Sequence, residues 1–429
     1  MESHYKSLVI LDPGLRELGG HHPATMLAIA DALLETSNIN IELLCHKECP
    51  VEFTGKLNCK VKVTRHFTTG FYRYFYKTPS NIELQKYCNY LALEYIRAIK
   101  LSLELNVYNN KVVFWCHTLN WQHAKALALA LDVLNKQLLL EDYSKIKLLI
   151  GLMYSPKDSA NTVKRKMHYE LAFRHLAKHN NVTFLAVDYE LQRSYSKLLN
   201  KNIDIQPCLL FGNKKLNKNK ISKNNAIESV NATGNAIKKN NKSIILYTGD
   251  AKINKGFLEL PKIAEALLSK LGDYKFVIQY SITNDSIELS DTDSRLSALA
   301  EKYSNLILKN KFIEHHDLMN LFEVSDAIFF NYDADIYQHQ SSGVLWLAAY
   351  HHLSIINYTE NWISRESARL NLSQLQCKSV DGVQNAIFNV KPKQTHLESE
   401  HTAKSVSHFS NDYRQQLFAN VLSWIERVI

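Results

Sequence analysis

No apolar run in this chain of 429 residues approaches the ~18–20 residues that a membrane-spanning helix needs. The N-terminal stretch offers Lys6 and then SLVILDPG, too short and too soon broken for a secretory leader. Residues 7–11 read as a first buried strand instead. Cysteine is equally short of useful pairings. The seven cysteines are scattered with no CxxC pair, and Cys45, Cys49 and Cys59 have no His or Cys beside them at zinc spacing. A disulfide scaffold and a zinc ribbon are therefore excluded, and reduced thiols in a cytoplasmic protein are the economical reading.

The chain also lacks a general basic character, although its formal charge is +9. Eight of the 51 Lys and Arg residues and one of the 42 acids lie in 213–242, which leaves 43 bases against 41 acids elsewhere. The excess thus belongs to one Asn/Lys-rich stretch with almost no core-forming residues. Its composition predicts a flexible linker. A peripheral contact with anionic lipid at the inner face of a membrane is the secondary reading. A nucleic-acid groove has little support.

What is present is a rhythm of short apolar strands and helices, repeated on both sides of that stretch. In the first half SLVIL (7–11), IELLC (41–45), VKVTRHF (61–67), KVVFWCH (111–117), KLLIGLMY (147–154) and NVTFLAV (181–187) read as strands. Helical spacing fills 82–104 and the run after His117. In the second half SIILYTG, KFVIQY, NLILKNKF, AIFFNY and SIINYT alternate with helices. Such alternation predicts parallel sheets covered on both faces. The expected fold is α/β, with two doubly wound Rossmann-like domains facing a central cleft. The expected boundaries are 1–212, a linker at 213–242, 243–404, and a C-terminal helix in 405–429 that packs back across the domains. Ligands of such sheets bind beyond the strand C-termini.

Three loops there could carry chemistry. DPGLRELGGHHP places Gly19 and Gly20 before a helix opened by His22 or Pro23, where backbone without Cβ lets a phosphate or sugar approach; a plain turn is the equal alternative. YTGDAKINKGF places Gly249, Lys252, Lys255 and Gly256 between a strand and a helix. A lysine there would stabilise the charge that grows on a departing diphosphate. QSSGVLW places Ser341, Ser342 and Gly343 at a helix start, where Ser can cap and free N–H groups can hold phosphate. His117 ends an apolar strand and so faces the ligand edge, and His21 shares the glycine loop. Glu17, Asp333 and Asp335 are the carboxylates available as a base for an acceptor hydroxyl. Sequence spacing offers no His/carboxylate metal set. Tyr72, Tyr74 and Tyr76 alternate in FYRYFY, as a half-buried strand or a sugar-stacking surface.

The strand-Gly-loop-Lys-Gly-helix segment, the small-residue helix start and the opposing Gly-Gly loop resemble family 4 glycosyltransferases and their relatives, whose fold is named GT-B. The resemblance spans most of the chain and is weakest between about 60 and 240. It implies a nucleotide-sugar donor, a glycan or lipid-linked acceptor in surface polysaccharide or glycoconjugate synthesis, a retaining reaction and no metal cofactor. It also implies that Lys255 acts in catalysis and that His117 touches the donor sugar, while the sequence does not choose between Glu17, Asp333 and no base at all. Gly19, Gly20, His21, Gly249, Lys252, Ser341, Ser342 and Gly343 would line the donor. Two positions depart from the pattern. Asp250 stands where Arg is common, so Lys252 would substitute, and His339 and Leu347 stand where two Glu are usual. Two enzymes of similar fold compete with this reading, a nucleotide-sugar 2-epimerase and a polymerase transferring glycerol phosphate, and the missing Glu pair keeps a non-catalytic partner of the same fold in view.

Overall fold

The computed structural model describes residues 6–17, 21–33, 39–57, 61–74, 79–106, 111–157, 163–210, 243–269, 274–282, 286–390 and 408–428. Gly19, Gly20, Tyr76 and the Lys-rich 213–242 lie outside them. The chain divides into two compact units, one of residues 1–214 with 415–429 and one of residues 215–414.

The first unit is built on seven parallel strands: β1 (Lys6–Asp12), β2 (Ile39–His46), β3 (Val61–Phe67), β4 (Val112–Cys116), β5 (Ile146–Leu152), β6 (Val182–Ala186) and β7 (Asp204–Ile205). Their order is β3-β2-β1-β4-β5-β6-β7. Between them run helices α1 (His21–Leu33), α2 (Val51–Lys56), α3 (Asn81–Leu105), α4 (Trp121–Gln137), α5 (Leu140–Ser144), α6 (Val163–Leu176) and α7 (Tyr189–Leu199). The central strands are buried along their length, as parallel strands covered on both faces must be. Helix starts are capped as the sequence allows. Ser80 and Glu83 form a reciprocal capping box on α3, and Asn120 accepts from the His123 backbone N–H at 3.0 Å.

The second unit has six parallel strands: β8 (Ser243–Asp250), β9 (Tyr274–Ser281), β10 (Leu306–Lys309), β11 (Ala327–Phe330), β12 (Ser354–Asn357) and β13 (Gln374–Gln376). Their order is β10-β9-β8-β11-β12-β13. Its helices are α8 (Leu260–Leu268), α9 (Ile287–Lys302), α10 (His315–Val324), α11 (Gly343–Tyr350), α12 (Trp362–Arg369) and α13 (Val380–Phe388). The C-terminal stretch supplies α14 (His408–Leu417) and α15 (Val421–Val428). The division between units falls inside α14, after Arg414. Tyr413 donates to the buried carboxylate of Glu366 in the second unit. Val421, Trp424 and Ile425 enter the core of the first, where the Trp424 ring stands 5.6 Å from Trp115.

Both sheets are doubly wound, with the strand order reversing between β1 and β4 in one and between β8 and β11 in the other. Ligands collect at such switch points, beyond the strand ends. The register makes this concrete. Ile10 pairs with Trp115, so two residues further on Asp12 comes opposite His117. Ile328 pairs with Leu246, so Asn331 comes opposite Gly249.

One sequence expectation fails here. The described part of FYRYFY is not a strand: residues 71–74 form a turn, with Phe71 buried and Tyr72 exposed, and residues 75–76 lie outside the described residues. The alternation reflects Phe71 packing against the His22 and His123 rings, at 5.4 and 4.4 Å, not strand pairing.

Candidate active site

At the first switch point Asp12 is fully buried and accepts three hydrogen bonds. The donors are the Gly14 N–H (3.0 Å), His22 Nδ1 (2.7 Å) and His117 Nε2 (3.0 Å). Burial pushes a carboxyl pKa up, but the two imidazoles outweigh it and hold Asp12 well below the ordinary carboxylate range. An ionised carboxylate only accepts, so both facing ring nitrogens carry protons. For His117, burial lowers the pKa by more than Asp12 raises it. His117 is thus held as one tautomer, Nε2–H toward Asp12, in the manner of an oriented catalytic imidazole.

His22 Nε2 meets the Tyr72 hydroxyl at 3.0 Å, and that hydroxyl lies 3.4 Å from both His21 Nε2 and the Tyr154 hydroxyl. His21 is therefore part of the cluster, its ring 4.3 Å from His22 and 6.3 Å from His117. Glu17 stands exposed in the loop, outside these hydrogen bonds among the described residues. Glycine is required on both sides of the cluster: a Cβ on Gly151 of β5 would meet the His117 carbonyl at 2.0 Å, and one on Gly14 would meet the His22 ring at 2.1 Å.

A second layer fixes the Tyr72 turn. Glu94 accepts from the Thr68 N–H (2.7 Å) and the Thr69 N–H (3.3 Å). Tyr87 donates to the Gly70 carbonyl, 3.0 Å away. Its oxygen must then accept from His123 Nε2–H, leaving His123 Nδ1 to accept from Tyr95 (both 3.0 Å). Burial, with a smaller contribution from His22, drives the His123 pKa down to about 3. A histidine depressed in the folded state stabilises it fully above its ordinary value, 6.5, and loses that stability as pH falls. Each pH unit below 6.5 should therefore cost about 1.4 kcal/mol of unfolding free energy through this group. Urea titrations at pH 7, 6 and 5 on the wild type and on His123→Leu check this. The variant should show a slope shallower by one proton, and equal slopes would remove His123 from the acid response.

At the second switch point Gly249, next to last in β8, has φ +138°, and Lys255 Nζ lies against it, where a Cβ would come within 2.9 Å. The lysine turn is held from several sides. Tyr247 donates to the Lys255 carbonyl (3.2 Å), Asn331 Nδ2 to the Gly256 carbonyl (3.1 Å), and the Asp333 N–H to the Asn254 carbonyl (2.9 Å). Lys255 is partly buried, which lowers its pKa from the ordinary 10.5. Its Nζ stands 6.0 Å from the Tyr332 ring. Asp250 pairs with the exposed Lys252 at 2.9 Å and also acts through space on Lys255, which it helps to keep charged.

Ser342 is buried at the N-cap of α11, but its side chain makes no cap hydrogen bond, contrary to the capping expectation. Its hydroxyl faces that of Tyr332, which is itself buried with no hydrogen bond of good geometry, its pKa raised to about 12 chiefly by burial. Ser341 and Gly343 flank it, half-buried. Lys255, Tyr332 and the start of α11 therefore meet in one place, with unspent donors directed there. Asp333 is committed locally, accepting from the Ile336 N–H at 2.8 Å.

Two residues of this geometry, Asp12 and Tyr332, escaped the sequence analysis. Sequence spacing shows no His/carboxylate set, yet among the described residues the fold brings two such groups together, Asp12–His22–His117 and Asp132–His175–His179, each with its ligand atoms within 4.8 Å of one another. In the first, the donor atoms are spent on one another.

No protein-family model matches the sequence, and no curated protein matches it in sequence. In three dimensions the chain is similar to an alpha,alpha-trehalose-phosphate synthase (UDP-forming) from Burkholderia vietnamiensis, with TM-score 0.58, 11% identity, and 99% of this chain and 98% of that one covered. The Burkholderia xenovorans synthase in complex with glucose-6-phosphate gives 0.57, 10%, 98% and 98%. HepE from Anabaena in complex with UDP gives 0.57, 12%, 98% and 99%. These are GT-B structures, and the chain has the GT-B fold. What they share with it at this identity is architecture over nearly the whole length.

Proposed function

We propose that the protein is a glycosyltransferase that moves a sugar from a nucleotide-sugar donor to a glycan or lipid-linked acceptor, with retention of anomeric configuration. The observation that carries this is the convergence of Lys255, Tyr332 and the N-terminus of α11 at the switch point of the second sheet. A cation, unspent hydroxyls and free helix N–H groups make a place for a diphosphate. The solved structures similar to it include ones holding UDP and a sugar phosphate, which supports a uridine nucleotide and a hydroxyl acceptor on this chain. On this reading Asp12 orients His117 to touch the reacting sugar, and Lys252, Ser341 and Ser342 line the donor. Release of nucleoside diphosphate across a panel of nucleotide sugars, with and without sugar acceptors, tests it. No release from any donor would sink the proposal.

The donor site as proposed uses protein dipoles and Lys255 where other transferases use a divalent cation. Binding of UDP by calorimetry should accordingly persist in excess EDTA. It should weaken about 10-fold or more in Gly343→Val, because a branched Cβ would push phosphate off the helix start. Binding that returns only with magnesium or manganese, or full binding in the variant, would move the phosphates elsewhere.

One observation favours a second reading, a nucleotide-binding partner without turnover. Where the enzymes it resembles hold two acids, His339 is partly exposed and Leu347 is buried in α11, so neither supplies a carboxylate for ribose. Tight UDP binding with no release from any donor would select that reading.

A further inference from the structure

The segment HLAKH places His175 in the last turn of α6 and His179 in the turn that follows it, closed by the His179 N–H donating to the Leu176 carbonyl at 3.3 Å. Helix α6 packs on α4, which presents Asp132 to the same spot. His175 Nε2 stands 2.8 Å from Asp132 Oδ2, and His179 Nε2 stands 3.4 Å from Asp132 Oδ1. If Asp132 were only a hydrogen-bonded clip, both imidazoles would donate to it. Only His175 does. The His179 side chain is 9% exposed, and its Nε2 is buried beside Asp132 with no hydrogen bond of good geometry, the ring also lying against the Ala128 backbone of α4. Its other ring nitrogen is engaged from behind, with the Tyr143 hydroxyl 3.1 Å from Nδ1. An imidazole held from behind through one nitrogen, with the other turned to a point shared with a second imidazole and a carboxylate within 4.8 Å, matches a metal ligand and its outer partner.

From this we propose that Asp132, His175 and His179 bind a late first-row divalent cation, zinc above all, clipping the end of α6 to α4. Two imidazoles and one carboxylate suit zinc and disfavour calcium or magnesium, which take oxygen ligands. Donors about 2.0 Å from a tetrahedral ion stand about 3.3 Å apart, and the observed 2.8 and 3.4 Å bracket that spacing. Half Å of adjustment at His175, one-third exposed, opens the space for the ion. The fourth position faces solvent on that side and takes water. The carbonyl end of α6 adds a favourable potential for a cation. The site is separate from Asp12 and from Lys255, so its role is to stiffen the α4–α6 pair, not to enter the reaction. Helix α4 also carries His123, on which the Tyr72 turn rests.

The test uses the full chain, stripped with EDTA and desalted, and titrated with zinc chloride by calorimetry and thermal scanning. Wild type should bind zinc with Kd on the order of 1 μM or tighter and raise its first thermal transition. His175→Ala and Asp132→Ala should weaken binding by about 100-fold or more, the upper end of what loss of an outer partner alone costs. Their thermal midpoints in EDTA should match the wild type, which separates lost binding from lost folding. His175→Cys should still bind, and its cobalt complex should gain sulfur-to-metal charge-transfer absorption, which a purely structural histidine would not produce. Absence of zinc binding by the wild type would overturn the site. So would zinc affinity unchanged in His175→Ala, or a cobalt complex of His175→Cys without that absorption.

Discussion

Lys255→Ala is expected to lower turnover by about 10²–10³-fold at saturating donor, the loss of ~3–4 kcal/mol typical of removing one preorganised charge-stabilising group. The lysine lies in a partly desolvated place, where a charge acts more strongly than in water. The nearby carboxylate, Asp250, pairs directly with Lys252 and reaches Lys255 only through space. Folding should be unaffected, because the turn is held by backbone carbonyls that the substitution leaves in place, Lys255 O to Tyr247 and Gly256 O to Asn331. Single-turnover and steady-state rates, with circular dichroism as the control for folding, check the result. Wild-type turnover in the variant would remove Lys255 from the mechanism.

Asp12→Asn should destabilise the first unit by about 3–5 kcal/mol, the scale on which breaking one side of a buried charge pair operates. The amide keeps the volume but turns one oxygen into a donor facing a ring N–H. Either His22 or His117 must then flip or lose its bond. Because His117 would lose its enforced tautomer, turnover should fall by more than the folded fraction does. Chemical unfolding followed by tryptophan fluorescence, alongside rates corrected for folded enzyme, separates the two effects. A variant as stable as the wild type would mean that the two imidazoles do not depend on this carboxylate.

The parallel strands could be read directly because burial on both faces leaves continuous apolar runs such as VVFWC and IIL. The three-residue β13, QLQ, carries no such run and was invisible. Helix α6 was hidden by its polar KRKMHYE surface. The lysine loop and the Ser-Gly helix start stood out because glycine and small residues mark places where backbone must be approached. Asp12 did not, since it reads as the tail of a strand entering a Pro-Gly turn. Its partner His117 comes from a strand 105 residues later, and only the β1–β4 register joins them. Tyr332 was masked in the same way, as one more aromatic at the end of AIFFNY. The FYRYFY alternation misled because a period of two can come from rings stacked in a turn. His175 at the α6 end and Asp132 are 43 residues apart and meet only through helix packing.

The entry of Trp424 into the core beside Trp115 bears on how the polypeptide comes together during synthesis. The ribosome delivers every strand of the first sheet, then the whole second unit, and only then α15. Until that helix emerges, the apolar side of β1 and β4 that it covers has no lid, so a nascent intermediate holds uncovered indole and aliphatic surface while some 200 further residues are added. Such an intermediate is a natural client for holding chaperones. The pace of elongation through the second unit, more than the intrinsic stability of the first, then governs how much of the newly made protein is lost to aggregation.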